Sequence, residues 1–139
     1  MEKIQERGLR LVYGDASSSY KELLSRANKN TLYIDRLKKI AIFVYKCVHR
    51  EGPSTTHDLY SKKSLSYIFR DPHKIEQPKV NGTTFGLNSI RYSGAALWNE
   101  LPVDLKDSVD VHVFKRLIKS WTRPSCNCGF CVLCKTLLN

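Results

Sequence analysis

Apolar positions in the first third of the chain recur at helical spacing. Ile4, Leu9, Leu11 and Val12 alternate with Gln5, Glu6, Arg7 and Arg10, which predicts a helix over residues 2–13. No Ser, Thr, Asp or Asn precedes it as a cap, so the natural start of the domain is expected upstream and Met1 is read as a truncation point. Gly14 to Ser18 breaks the pattern and predicts a turn. Ser19-Tyr20-Lys21-Glu22 has the spacing of a capping box, in which hydroxyl and carboxylate each satisfy a free N–H at a helix start. Leu23, Leu24 and Ala27 give that short helix a buried side, and Asn28 to Asn30 turn the chain. The longest helix is predicted over residues 32–50. Tyr33, Leu37, Ile40, Ala41, Val44 and Val48 form its apolar stripe, with Asp35, Lys38, Lys39, Lys46, His49 and Arg50 opposite. Ile42 and Phe43 edge onto the charged side, so the helix is expected to be covered on more than one face.

The middle third changes period. Glu51 to Ser54 stops the long helix, and His57 to Tyr60 read as one helical turn. Leu65, Tyr67 and Phe69 alternate with Ser66, Ile68 and Arg70 as in a strand. Lys74 to Val80 is extended at best and, because of Pro78, restricted to an edge. Asn81-Gly82 signals a hairpin into a strand that pairs Phe85 with Leu87 on one face and Ile90 with Tyr92 on the other. Ser93 is the expected cap of a following helix that buries Leu97, Trp98 and Leu101 and ends at Pro102. After a short turn at Val103 to Leu105, Asp110 is the expected cap of a helix over residues 111–122. Val113, Phe114, Leu117, Ile118 and Trp121 point inward there, and His112, Lys115, Arg116, Lys119 and Arg123 outward. The expected fold is α+β and mainly helical. A small antiparallel sheet of two or three strands lies in the middle third. Residues 1–123 form one domain, and 124–139 a cysteine-rich tail.

Charge sharpens the picture. The 139 residues carry 23 Lys and Arg against 13 Asp and Glu, a net charge of +10. Such an excess points to a polyanionic partner, RNA or DNA before an acidic membrane surface, and says nothing about fold. A basic surface that serves only solubility is the plain alternative. The candidate contacts are Lys39, Lys46 and Arg50 on the long helix and Lys115, Arg116, Lys119 and Arg123 on the last, where no acid interrupts the outward stripe. No window approaches the roughly 18 apolar residues of a membrane span, and no signal-peptide stretch is present. An intracellular protein, nuclear or cytoplasmic, is expected.

Five cysteines, four of them within nine residues, do not make a disulfide framework. Cys126, Cys128, Cys131 and Cys134 include two Cys-x-x-Cys spacings, each able to chelate one zinc ion. Four ligands that close must wrap tightly, so His112 is an alternative fourth ligand, and plain reduced thiols remain an equal reading. Cys47 reads as a buried thiol packed as a small hydrophobe. His57 beside Asp58 has no nucleophile near it in sequence and reads as a local hydrogen bond. Tyr13-Gly14-Asp15-Ala16 touches the Tyr-x-Asp-Asp pattern of polymerases but lacks the second carboxylate that two metal ions require.

Taken in order, several runs resemble the region that follows the polymerase domain in non-LTR (LINE-type) retrotransposon reverse transcriptases. They are Gln5-Glu6-Arg7 with Leu9 to Val12, Ser18 to Leu24, Arg36-Leu37, Ile40-Ala41, and Val44-Tyr45-Lys46. Phe85 to Tyr92, Ala95 to Pro102, Phe114-Lys115 and the Cys126-x-Cys128-x-x-Cys131 close complete the set. The Leu-Trp-Asn-x-Leu-Pro run and the terminal cysteines are its most specific parts. Cys134 falls outside that pattern. The resemblance implies a module that holds element RNA or target DNA near a parent polymerase domain, without a reaction of its own, since fingers, palm and endonuclease are absent from these residues. A structural segment docking onto that polymerase, or a decayed remnant without activity, is the alternative.

Overall fold

The computed structural model describes residues 2–62, 72–82 and 86–121. Two compact units divide the chain, one running to Lys38 and one from Lys39 onward.

In the first unit, helix α1 (Glu2–Tyr13) and helix α2 (Tyr20–Arg26) form where the polar and apolar pattern predicts them. The capping box at Ser19 is complete: its hydroxyl accepts from the Glu22 N–H, and the Glu22 carboxylate accepts from the Ser19 N–H at 2.9 Å. Leu23 and Leu24 are buried, whereas α1 buries none of its residues. What ties α1 down is polar. Tyr20 donates to Glu2 at 2.7 Å and also meets the Gln5 side-chain oxygen, and those two residues receive the free N–H groups of Tyr33 and Leu32 at the start of helix α3 (Leu32–Val48). A carboxylate at a helix N-terminus is favoured both by the bond and by the aligned peptide dipoles. The turn at residues 14–18 is organised by Asp15, whose carboxylate accepts from the N–H and hydroxyl of both Ser17 and Ser18 and pairs with Arg26 at 3.0 Å. Those hydrogen bonds hold the Asp15 carboxyl well below the usual carboxylate range.

The second unit is organised around the later turns of α3. Ala41, Val44 and Cys47 are buried, with Ile42 and Phe43 half-buried, as the wide apolar face predicts, and Tyr45, which the predicted stripe does not include, is buried as well. A 3-10 turn (Ser54–Leu59) follows, then helix α4 (Ile90–Glu100), helix α5 (Val103–Lys106) and helix α6 (Val111–Ser120). Trp98, Leu97, Leu101, Phe114, Ile118 and Trp121 complete the core. Tyr45 lies at its centre. Its ring stacks on His49 (centroids 4.0 Å apart) and on Phe114 (4.5 Å), and its hydroxyl donates to the Ser108 carbonyl at 2.7 Å. Burial pushes the Tyr45 phenol up, with Glu51 and Asp110 adding to it.

The expected sheet is not there: the described residues contain helices and turns but no strand, and the only pairing is an isolated antiparallel bridge between Lys62 and Ile75. The alternating stretch at residues 65–69 lies outside the described residues. Two other assignments are corrected. Residues 86–88 form a turn and Ile90 already begins α4, because Ser89 and not Ser93 is the cap; its hydroxyl accepts from the Tyr92 N–H at 3.3 Å. Ser93 instead donates its hydroxyl to the Ser89 carbonyl within the first turn. The segment after His73 lies against α4 without pairing as a strand. Asn99 closes a two-way bond with Ile75, donating to its carbonyl and accepting from its N–H, both at 3.1 Å, while Trp98 donates to the His73 carbonyl at 2.8 Å. A side-chain amide thus meets the backbone demand that a neighbouring strand was expected to meet. In α6, Leu117 is 38% exposed and does not join the core, and Asp110 stands at the cap position without a side-chain bond.

Candidate nucleic-acid interface

The two basic stretches sit on α3 and α6, which meet at the Tyr45–Phe114 stack. Lys46 and Lys115 each follow one of these aromatic residues directly. Lys39 and Lys46 are two helical turns apart and share a strip of α3. Lys39 is exposed and Lys46 half-buried. Arg50 lies beyond the helix end and is exposed, in a left-handed backbone conformation with φ +57°. On α6, Arg116, Lys119 and His112 are exposed and Lys115 is half-buried. Arg123 lies outside the described residues. Arg10–Glu6, Arg26–Asp15 and His73–Asp107 form ion pairs, and none of Lys39, Lys46, Arg50, Lys115 and Arg116 forms one with a described residue. Two carboxylates border the junction: Glu51 follows Arg50, and Asp110 precedes α6.

Such an arrangement suits electrostatic contact with a phosphate backbone. Lysine and arginine side chains without local carboxylate partners release condensed counterions when they meet phosphates. Lys106 is withdrawn from any such surface, being fully buried in the second unit.

Other residues with chemical potential make local contacts. Cys47 is 2% exposed, and burial pushes its thiol up, outweighing the hydrogen bond from Thr56, so the group stays a thiol at neutral pH. His57 shares a 2.9 Å hydrogen bond with the Gly52 carbonyl, a local bond as expected, though with the backbone and not Asp58. The described residues contain no group of three His, Cys, Asp or Glu side chains placed to hold a metal ion. Cys126, Cys128, Cys131 and Cys134 lie outside the described residues. No described helix is long and apolar enough to cross a membrane.

Sequence reasoning missed Lys62, which joins Arg50 and His57 along a cleft at the end of α3. Its neighbours in sequence carry no helical periodicity, so spacing could not connect it to the other cations. Comparison with protein-family models, curated proteins and solved structures finds no match to this chain.

Proposed function

We propose that the chain is a nucleic-acid-binding module from the C-terminal region of a non-LTR retrotransposon reverse transcriptase, non-catalytic as it stands. It holds RNA or DNA near the polymerase of the parent polyprotein, in the nucleus or cytoplasm. The observation that supports this most is that Lys39, Lys46, Lys115 and Arg116 on α3 and α6, with Arg50 just past α3, form no ion pair with a described residue. Binding is electrostatic and tracks phosphates, so it tolerates sequence. Zinc held by Cys126, Cys128, Cys131 and Cys134 belongs to the same reading, and metal analysis of purified protein with a thiol count tests it.

The experiment for the main reading is titration of labelled RNA and DNA with the wild-type chain and with a Lys115→Ala, Arg116→Ala, Lys119→Ala variant. The variant should bind more weakly by a similar factor on unrelated sequences, with a salt slope flatter by about two to three. Unchanged affinity removes α6 from the interface.

A second reading is favoured by α1, where Ile4 is 72%, Leu11 84% and Val12 77% exposed. Apolar side chains presented together to water suit a docking face for the parent polymerase. Concentration-dependent association that Leu11→Lys abolishes, together with salt-independent or absent RNA binding, would favour docking over nucleic-acid binding.

A further inference from the structure

Where α3 ends, the chain doubles back and leaves a cleft of about 400 Å³. Arg50, His57 and Lys62 line it against a single carboxylate, Asp58, and Cys47 and Tyr60 also contribute to the wall. Neither Arg50 nor Lys62 forms an ion pair with a described residue. His57 has one ring nitrogen engaged with Gly52.

Arg50 is the unusual member. The left-handed position just past a helix is ordinarily glycine's, because an L side chain is strained there. Gly52 stands two residues on, yet its φ is not in the left-handed region and the turn is made at Arg50, closed by the Glu51 N–H on the Lys46 carbonyl at 2.9 Å. A cation near a helix C-terminus does complement the peptide dipoles. Lys46 already serves that purpose in the last turn of α3, and the Arg50 guanidinium forms no side-chain hydrogen bond with a described residue. The left-handed backbone closes the end of α3, as Asn28 at φ +49° closes α2, and what sets Arg50 apart is that it lines the cleft without an ion pair to a described residue.

We propose that this cleft receives one unpaired nucleotide of a single strand, its phosphate between Arg50 and Lys62 and its base and sugar beside His57. The volume is of nucleotide size, and arginine and lysine suit phosphate oxygens. A base-paired nucleotide keeps its base in the stack and cannot enter a recess of this kind, so the cleft discriminates single strands from duplex. The inference rests on the nucleic-acid reading above and adds to it a site and a preference.

The test uses the full chain and fluorescence anisotropy on a labelled 12-nucleotide RNA, the matching single-stranded DNA, and a duplex of the same sequence. Arg50→Gly and Lys62→Ala are measured beside wild type, each with a thermal melt. Arg50→Gly should raise the melting temperature by relieving the backbone, while weakening single-strand binding about tenfold. Its salt slope should flatten by about 0.7. Lys62→Ala should weaken single-strand binding to a similar degree without the gain in melting temperature. Duplex affinity should change less than about twofold in both. An equal loss on RNA and DNA assigns the cleft to the phosphate and base, and a larger loss on RNA adds the 2′-hydroxyl; either supports the site. Single-strand binding unchanged in both variants overturns it, as does a loss shared equally by duplex. If wild type binds none of the three ligands, the nucleic-acid reading itself fails and the cleft assignment falls with it.

Discussion

Tyr45→Phe removes one oxygen from the centre of the second unit and leaves the ring stacks with His49 and Phe114 in place. The lost bond runs from the Tyr45 hydroxyl to the Ser108 carbonyl over 2.7 Å, between residues that are 0% and 8% exposed. Water does not readily replace a donor there. Losing the partner of a buried carbonyl costs about 1–3 kcal/mol, and sparing the hydroxyl its own desolvation returns part of that, so a net loss of about 1.5 kcal/mol follows. For a chain of this length the melting temperature should fall by about 3–6 °C. In urea the midpoint should move by about 0.5–1 M with the slope unchanged, since the surface exposed on unfolding is the same. Trp98, whose ring centroid lies 6.3 Å from that of Tyr45, supplies a fluorescence signal for the titration. Tyr45→Leu, which also removes the stacks, should cost about 1 kcal/mol more. Equal stability of wild type and Tyr45→Phe, within about 0.3 kcal/mol, would refute the claim that this bond fastens the loop before α6 to α3.

Three further outcomes can be checked. Gly94→Ala places a methyl group against the Tyr60 hydroxyl, and against Val44 at 3.0 Å, inside a packed core. Overpacking of about 1–3 kcal/mol should outweigh the roughly 1 kcal/mol that alanine gains in a helix, so the melting temperature falls, and a rise would show that Tyr60 yields freely. Asn99→Ala strips both partners from the Ile75 backbone, costing about 2 kcal/mol, and trypsin should then cut after Lys74 or Lys79 sooner than in wild type; unchanged cleavage would mean the strap is held by other contacts. Burial first, and then the negative charge that Cys47 carries once ionised at high pH, push the Tyr60 phenol up to about 12. The folded state therefore keeps its proton while the unfolded chain releases one near pH 10, so this contribution is complete below about pH 10 and is lost as pH rises through 12. The difference in melting temperature between wild type and Tyr60→Phe should shrink over that window, and a constant difference would contradict the assignment.

Where the controlling interactions are local, the sequence was a good guide. The Ser19 and Glu22 capping box and the burial of Leu97, Trp98 and Leu101 before Pro102 depend on neighbours within a turn or two. The start of α4 was misread because Ser89 and Ser93 are both competent caps one turn apart, and the apolar alternation before them mimicked a strand. The middle segment was misread for a different reason. Ile75 finds its partner in an amide 24 residues away, and no periodicity announces that a side chain will stand in for a strand. Tyr45 shows the same limit, since its hydroxyl partner is 63 residues distant. For the candidate interface, the cations of α3 and α6 were legible from helical spacing. The cleft was not, because it depends on an arginine taking a backbone conformation that propensity assigns to glycine.

The proposed module grips a phosphate backbone through its surplus of cations. The most direct test of that grip is the salt dependence of binding by the full chain. If Lys39, Lys46, Lys115 and Arg116 engage either ligand and Arg50 only a single strand, log affinity should fall against log salt with a slope of about −3.5 on a single strand and about −3.6 on duplex. A slope near zero, or no binding at low salt, would contradict it.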